Sequence, residues 1–217
     1  VDGGGTCLKS HKKFMASNSI HSQMLLPEAL RVLQAHSQDS VVISTMGAAR
    51  EWAKLDPSPL DFVYVPSSMG QAPSLGLGVA LAQPARRVII CNGDGCMLMN
   101  LGSLVTITAA GAENLVLVVV ENGIYEVTGG QATAAAAARR EDGESLCFAD
   151  MARACGFTSV FEFTALDDWA ARCQEVINQP GPVFICLQVE GAEGDVSPRS
   201  PGPASERVAR FMEALQL

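Results

Sequence analysis

The stretch "IICNGDGCMLMN", residues 89–100, leaves a hydrophobic strand, turns at Asn92-Gly93-Asp94-Gly95 and enters an apolar helix. Glycine supplies the backbone freedom that a strand-to-helix turn needs, but no such turn needs a carboxylate at its centre. Asp94 is therefore a helix cap or a ligand. Working outward, "SVVIST" (40–45), "DFVYVP" (61–66), "NLVLVVVEN" (114–122), "TSVFEF" (158–163) and "GPVFICLQVE" (181–190) read as short buried strands. Between them lie helical stretches at 25–36 (with Pro27 in the first turn), 48–55, 74–83, 144–157 and 166–179. "CMLMNLGSLVTITAAG" (96–111) reads as one long apolar helix ending at Gly111, and 205–217 as a closing helix. Near-continuously apolar strands that alternate with helices predict an α/β fold: a three-layer parallel sheet with helices on both faces. Ligands of such sheets bind beyond the carboxyl ends of the strands. The turns to examine are therefore 44–48, 66–70, 92–96 and 122–133.

Composition narrows the function. The chain has 217 residues, 48% hydrophobic and 18% charged, with a net charge of -8 and only 6% aromatics. That acidic, aromatic-poor balance disfavours nucleic-acid binding, and no apolar run reaches the length of a membrane span. So apolar a chain is expected to bury surface against a partner or a second copy. The cysteines are Cys7, Cys91, Cys96, Cys147, Cys155, Cys173 and Cys186; none are in CxxC spacing and their number is odd, which predicts reduced thiols in a cytoplasmic protein. Residues 1–21, Gly- and Lys-rich with no apolar core, read as a flexible extension or expression remnant and not as a secretory signal. Residues 22–190 read as the binding domain, and 191–217 as a Pro/Gly/Ser linker and a docking helix. "GIYEVTGGQATAAAAARREDGE" (123–144) is a long irregular loop of the functional or mobile kind, whose alanine run could form a short helical lid.

Asn122 ends the next buried strand, 28 positions after Asp94. In a parallel sheet with a crossover helix, two such turns can meet at one sheet edge. A carboxylate, a carboxamide and a carbonyl from a glycine-containing turn form an oxygen-only set of the kind Mg²⁺ takes, completed by phosphate oxygens and water. Amides at the start of the helix after Gly95 can hold phosphate. The "GLG" at 76–78 sits inside a helix and not after a strand, which argues against a dinucleotide fingerprint.

With its GDG and distant Asn, the chain resembles the thiamine diphosphate enzymes over roughly residues 22–190. It is most similar to the diphosphate-binding portion of the sulfopyruvate and phosphonopyruvate decarboxylases within that family. "SSMGQAPSLGLGVALA" (67–82), "GDGCMLMNLGSLVTI" (93–107) and "ENGIYEVTGGQAT" (121–133) carry the likeness. The resemblance implies that Asp94, Asn122 and the Ile124 carbonyl hold Mg²⁺, and that Gly93, Gly95, Cys96 and Tyr125 line the thiamine diphosphate. Cys96 stands where many relatives have Ser, so a hydroxyl contact is missing. "STMG" (44–47) matches the upstream diphosphate loop and brings in Thr45 and Gly47. Met69 falls where the family wedges the cofactor into a bend, with Ser67 and Ser68 beside it. Gly70, Gly76 and Gly78 are expected to allow close helix packing. Thr128 and Gln131 are candidate substrate contacts at the pocket mouth, and the loop 125–140, with Arg139 and Arg140, is expected to close over an anionic 2-oxoacid.

The resemblance also implies an activating Glu on a separate pyrimidine-binding domain of about 150 residues. No catalytic residue is therefore expected in this chain, and an α subunit or an N-terminal domain is expected to complete the enzyme as an oligomer. Two other readings remain open at this point. One is the β subunit of a 2-oxoacid:ferredoxin oxidoreductase, which usually brings clustered cysteines. The other is a non-catalytic scaffold with the same fold.

Overall fold

The computed structural model describes residues 24–138, 146–192 and 199–216. The proposed extension 1–21, Cys7, Arg139 and Arg140 lie outside the described residues. Six parallel strands form one sheet: β1 (Val41–Ser44), β2 (Asp61–Val63), β3 (Val88–Gly93), β4 (Leu115–Glu121), β7 (Ser159–Phe163) and β8 (Val183–Gln188). Their order is β2-β1-β3-β4-β8-β7. Alternate residues of each strand feed two cores. On β4, Leu115, Leu117 and Val119 enter one core, while Val116, Val118 and Val120 enter the other. Each such fully buried side chain stabilises by roughly 1.5–3 kcal/mol. Burial on both faces is why the central strands β1, β3, β4 and β8 are nearly all apolar and do not alternate with polar residues, while the edge strands β2 and β7 are only half-buried.

The first core is covered by α3 (Ala72–Ala82), α5 (Gly102–Ala110), α7 (Phe148–Ala154) and α9 (Ala204–Leu215). The second lies under α1 (Leu26–His36), α2 (Met46–Trp52) and α8 (Leu166–Ile177), where the Trp169 indole N–H donates to the Ala29 carbonyl at 3.0 Å. Helix α9 sits against the edge strand β2. Its Arg207 guanidinium donates to the carbonyls of Val63 and Val65, occupying acceptors that an edge strand would otherwise leave open. Among the described residues no helix is long and apolar enough to cross a membrane. All six described cysteines are free; Cys91, Cys96, Cys173 and Cys186 are buried, and Cys147 and Cys155 are half-buried.

Three expectations need correction. The helix read as 96–111 is two helices, α4 (Asp94–Met99) and α5. Asn100 breaks it: its side-chain amide donates to the Gly70 carbonyl at 2.9 Å, while its own carbonyl accepts from the Ser103 amide and hydroxyl. The loop after Asn122 is not wholly irregular. It begins as a small antiparallel hairpin, β5 (Ile124–Tyr125) and β6 (Gln131–Ala132), and the alanine run then forms the expected short helix, the one-turn α6 (Ala134–Ala137). Of the two α3 glycines, only Gly76 is needed for packing. A Cβ there would lie 2.3 Å from Ile90 Cδ1, whereas one at Gly78 would meet nothing within 4 Å. Gly70 is needed for its backbone, at φ +82°.

Candidate functional site

From β1 the chain runs outward to β2 and then returns to place β3 on the other side of β1. This reversal opens a crevice at the carboxyl ends of β1 and β3, where open α/β sheets bind their ligands. The turn after β3 is tighter than its sequence implied. Gly93 is the last residue of the strand and Asp94 the first of α4. Register pairs Gly93 with Val120, so Asp94 emerges beside the end of β4 and the Asn122 turn.

Asp94 is 2% exposed. Its Oδ1 accepts from the Gly95 amide at 2.8 Å and its Oδ2 from the Gly123 amide at 2.9 Å. It therefore binds the start of its own helix and also ties that helix to the next strand end. Burial pushes its carboxyl up to about 6; the Glu121 carboxylate adds to the shift, and the two glycine amides oppose it. Asn122 Oδ1 accepts from the Ile124 amide at 3.0 Å, an Asx turn that aims the next residues back across the crevice. The Tyr125 ring lies on Gly95, where a Cβ would come within 2.6 Å of the ring.

The cleft holds about 580 Å³ of empty space, including its mouth. Gly47, Met69, Gly93, Asp94, Gly95, Cys96, Asn122, Ile124, Tyr125 and Thr128 all line it. Thr45 does not reach its wall; this residue is buried behind it, with its hydroxyl donating to Ser67 Oγ at 3.2 Å. Ser67, Ser68 and Gln131 are likewise absent from the lining; Gln131 is exposed and exchanges hydrogen bonds with Thr128. Met69 is 47% exposed at the mouth and so is not a core residue. The loop that carries it is fixed to α4 through the Asn100–Gly70 bond.

Sequence reasoning missed Leu26, Met46, Ala48, Met99, Val120, Glu126 and Val127, which complete the lining. Met46 carried no signal in its residue type, yet it holds φ +53°, a left-handed conformation unusual outside glycine. Its turn opens the cleft beside Gly47. Among the described residues the lining includes two carboxylates, Asp94 and Glu126, and no Lys, Arg or His. Among the described lining, an anion entering here meets neutral donors only, backbone amides and the side chains of Asn122, Tyr125 and Thr128, besides whatever cation accompanies it. A buried carboxylate, a carboxamide and nearby carbonyls fit a hard divalent cation.

An open parallel sheet with a carboxylate–carboxamide crevice at its switch point defines an α/β domain of the ligand-binding kind. The sequence profile of the family described as "Thiamine pyrophosphate enzyme, C-terminal TPP binding domain" matches residues 38–187, and the chain belongs to that family. It is 36% identical over 182 residues to a phosphonopyruvate decarboxylase from Streptomyces viridochromogenes, covering 83% of this chain and 43% of the relative. It is 35% identical over 190 residues to the sulfopyruvate decarboxylase subunit beta of Methanothermobacter thermautotrophicus, covering 87% and 94%. The chain thus spans less than half of the former relative and nearly all of the latter. Among solved structures, the 2-oxoglutarate:ferredoxin oxidoreductase from Magnetococcus marinus shares the fold, with a TM-score of 0.61 at 14% identity, covering 88% of this chain and 84% of that one.

Proposed function

We propose that the chain is the diphosphate-binding part of a thiamine diphosphate- and Mg²⁺-dependent 2-oxoacid decarboxylase, acting on sulfopyruvate or phosphonopyruvate-like substrates. One observation carries the reading: Asp94, buried and raised in pKa, stands at the switch-point crevice with Asn122 beside it and with no basic side chain in the described lining. Asp94, Asn122 and the Ile124 carbonyl hold the metal. The amides after Gly93 and the small residues Gly47 and Gly95 receive the diphosphate, Met69 bends the cofactor with Ser67 and Ser68 beside it, and Thr45 supports the Ser67 loop through its hydroxyl. When bound, the cofactor supplies the electron sink for loss of CO₂.

The chain's own share is binding and orientation. Asp94 is committed to two amides, and Glu126 to the Ala192 amide and Arg50, so neither serves as the activating carboxylate. That group is assigned to a pyrimidine-binding partner, either a separate subunit in the cytoplasm or another domain. The partner also brings the cations that an anionic substrate needs, with Thr128 and Gln131 as polar contacts at the mouth.

Titration calorimetry with thiamine diphosphate, with and without Mg²⁺, tests the reading. Binding is expected to need Mg²⁺ and to collapse in Asp94→Ala. Equal affinity in both proteins would end the proposal. The rival ferredoxin-linked reading predicts the visible absorption of an iron–sulfur cluster in the purified assembly. Among the described residues, no three His, Cys, Asp or Glu side chains converge to hold a metal ion.

A further inference from the structure

The hairpin that carries Ile124 and Tyr125 is too small to hold its own shape. Its ladder pairs two residues with two, Ile124 with Ala132 and Tyr125 with Gln131, and an isolated two-stranded hairpin is at best marginal in water. Internally it has the Gly130 amide on the Tyr125 carbonyl at 2.9 Å and the Thr133 amide on the Gly123 carbonyl at 2.8 Å. Thr128 and Gln131 bond to each other and to hairpin carbonyls. Asp94 ties only its entry, at the Gly123 amide, to α4, so something must also fix the turn beyond Tyr125.

Glu126, at the start of the turn that joins the two strands, meets that need. Its side chain is 6% exposed although its neighbours from Val127 to Ala132 are all exposed. One carboxylate oxygen accepts from the Ala192 amide at 2.8 Å, and the other from the Arg50 guanidinium at 3.4 Å. Arg50 is itself oriented by Glu51, whose carboxylate it meets at 2.7 Å. Two glycines make room for the arrangement. A Cβ on Gly47 would lie 3.0 Å from Glu126 Oε2, and one on Gly191 would lie 2.8 Å from Ile124 Cδ1. Three segments distant in sequence thus close on one carboxylate: α2, the hairpin and the stretch after β8.

We propose that Glu126 is a positioning residue for the cofactor site, pinning the hairpin between α2 and residues 190–192 so that Ile124 stays beside Asp94 and the Tyr125 ring stays on Gly95. The inference rests on the reading of the site given above. Its charge is buried on an amide and a guanidinium, so it acts through the backbone it holds and not on the reactants. The chain after β8 thereby supports the site from behind the hairpin, although it does not line the cleft.

The experiment uses the full chain and two variants, Glu126→Ala and Glu126→Gln; the second keeps an acceptor for the Ala192 amide. Hydrogen exchange without ligand reads the pin. Glu126→Ala should speed exchange at Gly123, Gly130, Thr133 and Ala192 while strands β3 and β4 stay protected. Calorimetry with Mg²⁺ and thiamine diphosphate reads the positioning. Glu126→Ala should weaken binding about 10–100-fold, the usual cost of losing a group that orients metal ligands, and Glu126→Gln should recover much of it. Unchanged exchange in Glu126→Ala would overturn the pin. Faster exchange with unchanged cofactor affinity would overturn the positioning role. Wild-type protein that binds no Mg²⁺–thiamine diphosphate would overturn the reading of the site itself, and the positioning role with it. If Glu126→Ala does not fold, the same comparison between wild type and Glu126→Gln decides, with a smaller loss in the same direction.

Discussion

Asp94 is a buried carboxylate held by two amides and pushed up to about 6 chiefly by burial. The folded-state value lies above the ordinary 3.8, so the group's contribution to the unliganded chain is fully present below that value and is lost as pH rises through about 6. A divalent cation makes the opposite demand, because it binds only the ionised form. Metal-supported cofactor binding is therefore expected to weaken below pH 6 or so, and to release a proton near pH 5 that it does not release near pH 8. Calorimetry in two buffers with different protonation heats measures that count; no proton release at either pH would remove Asp94 from the ligand set. Gly95→Ala offers a second test at this scale, since its Cβ would meet the Tyr125 ring at 2.6 Å. The variant should lose cofactor affinity, and Tyr125→Ala in the same chain should restore part of it. Asp94 and Asn122 were legible in the sequence because a polar side chain at the end of an apolar strand needs a reason. Glu126 was not, because its partners Ala192 and Arg50 lie 66 and 76 positions away and no local pattern joins them.

Among the elements, the strands were the most legible. Burial on both faces turns the central ones into apolar runs such as Leu115–Val120, which short length and β-branched residues mark as strand. The break between α4 and α5 was hidden, since Asn100 sits in an apolar stretch and its side chain caps Gly70 from another loop. The hairpin at 124–132 was hidden for a related reason: two-residue strands carry no periodic signal, and tertiary anchors hold them. The α3 glycines show how equal residues diverge in context. Gly76→Ala should destabilise the chain by about 1–3 kcal/mol, the usual cost of overpacking a core, because its Cβ would press on Ile90 at 2.3 Å. Gly78→Ala should stabilise it by about 0.5–1 kcal/mol, since the position is an exposed helix interior with free space around it. Denaturant unfolding of both variants checks the pair; similar effects at the two positions would contradict the placement of α3 on β3.

At the scale of the whole molecule, the described surface is unfinished on the side of α3 to α5. Leu81 is 57% exposed, Val105 55%, Met99 50% and Met69 47%, and the last two also line the cleft. Helices α3 and α5 have almost no polar side, whereas α1, α8 and α9 each present one, so solvent is a poor neighbour for the former pair. An apolar surface that runs into a cleft mouth is suited to a partner that also closes the cleft. Charge leads to the same conclusion. The chain carries a net -8 and its described cleft wall has two carboxylates and no base, so the dianionic or trianionic substrate proposed above would gain no attraction from that described wall. On the proposed function, the purified chain should therefore show negligible decarboxylation and weak cofactor binding, and both should rise when the proposed pyrimidine-binding partner is added. Val105→Glu should block that gain by placing a charge in the interface, while leaving the thermal midpoint of the free chain close to wild type because the position is solvent-exposed. Sedimentation of the mixture and turnover of sulfopyruvate, phosphonopyruvate and pyruvate report the two effects. Robust turnover by the chain alone would place the activating carboxylate within it. Normal assembly in Val105→Glu would move the interface off α5, and a clear preference for pyruvate would remove the case for cations on the partner's side of the cleft.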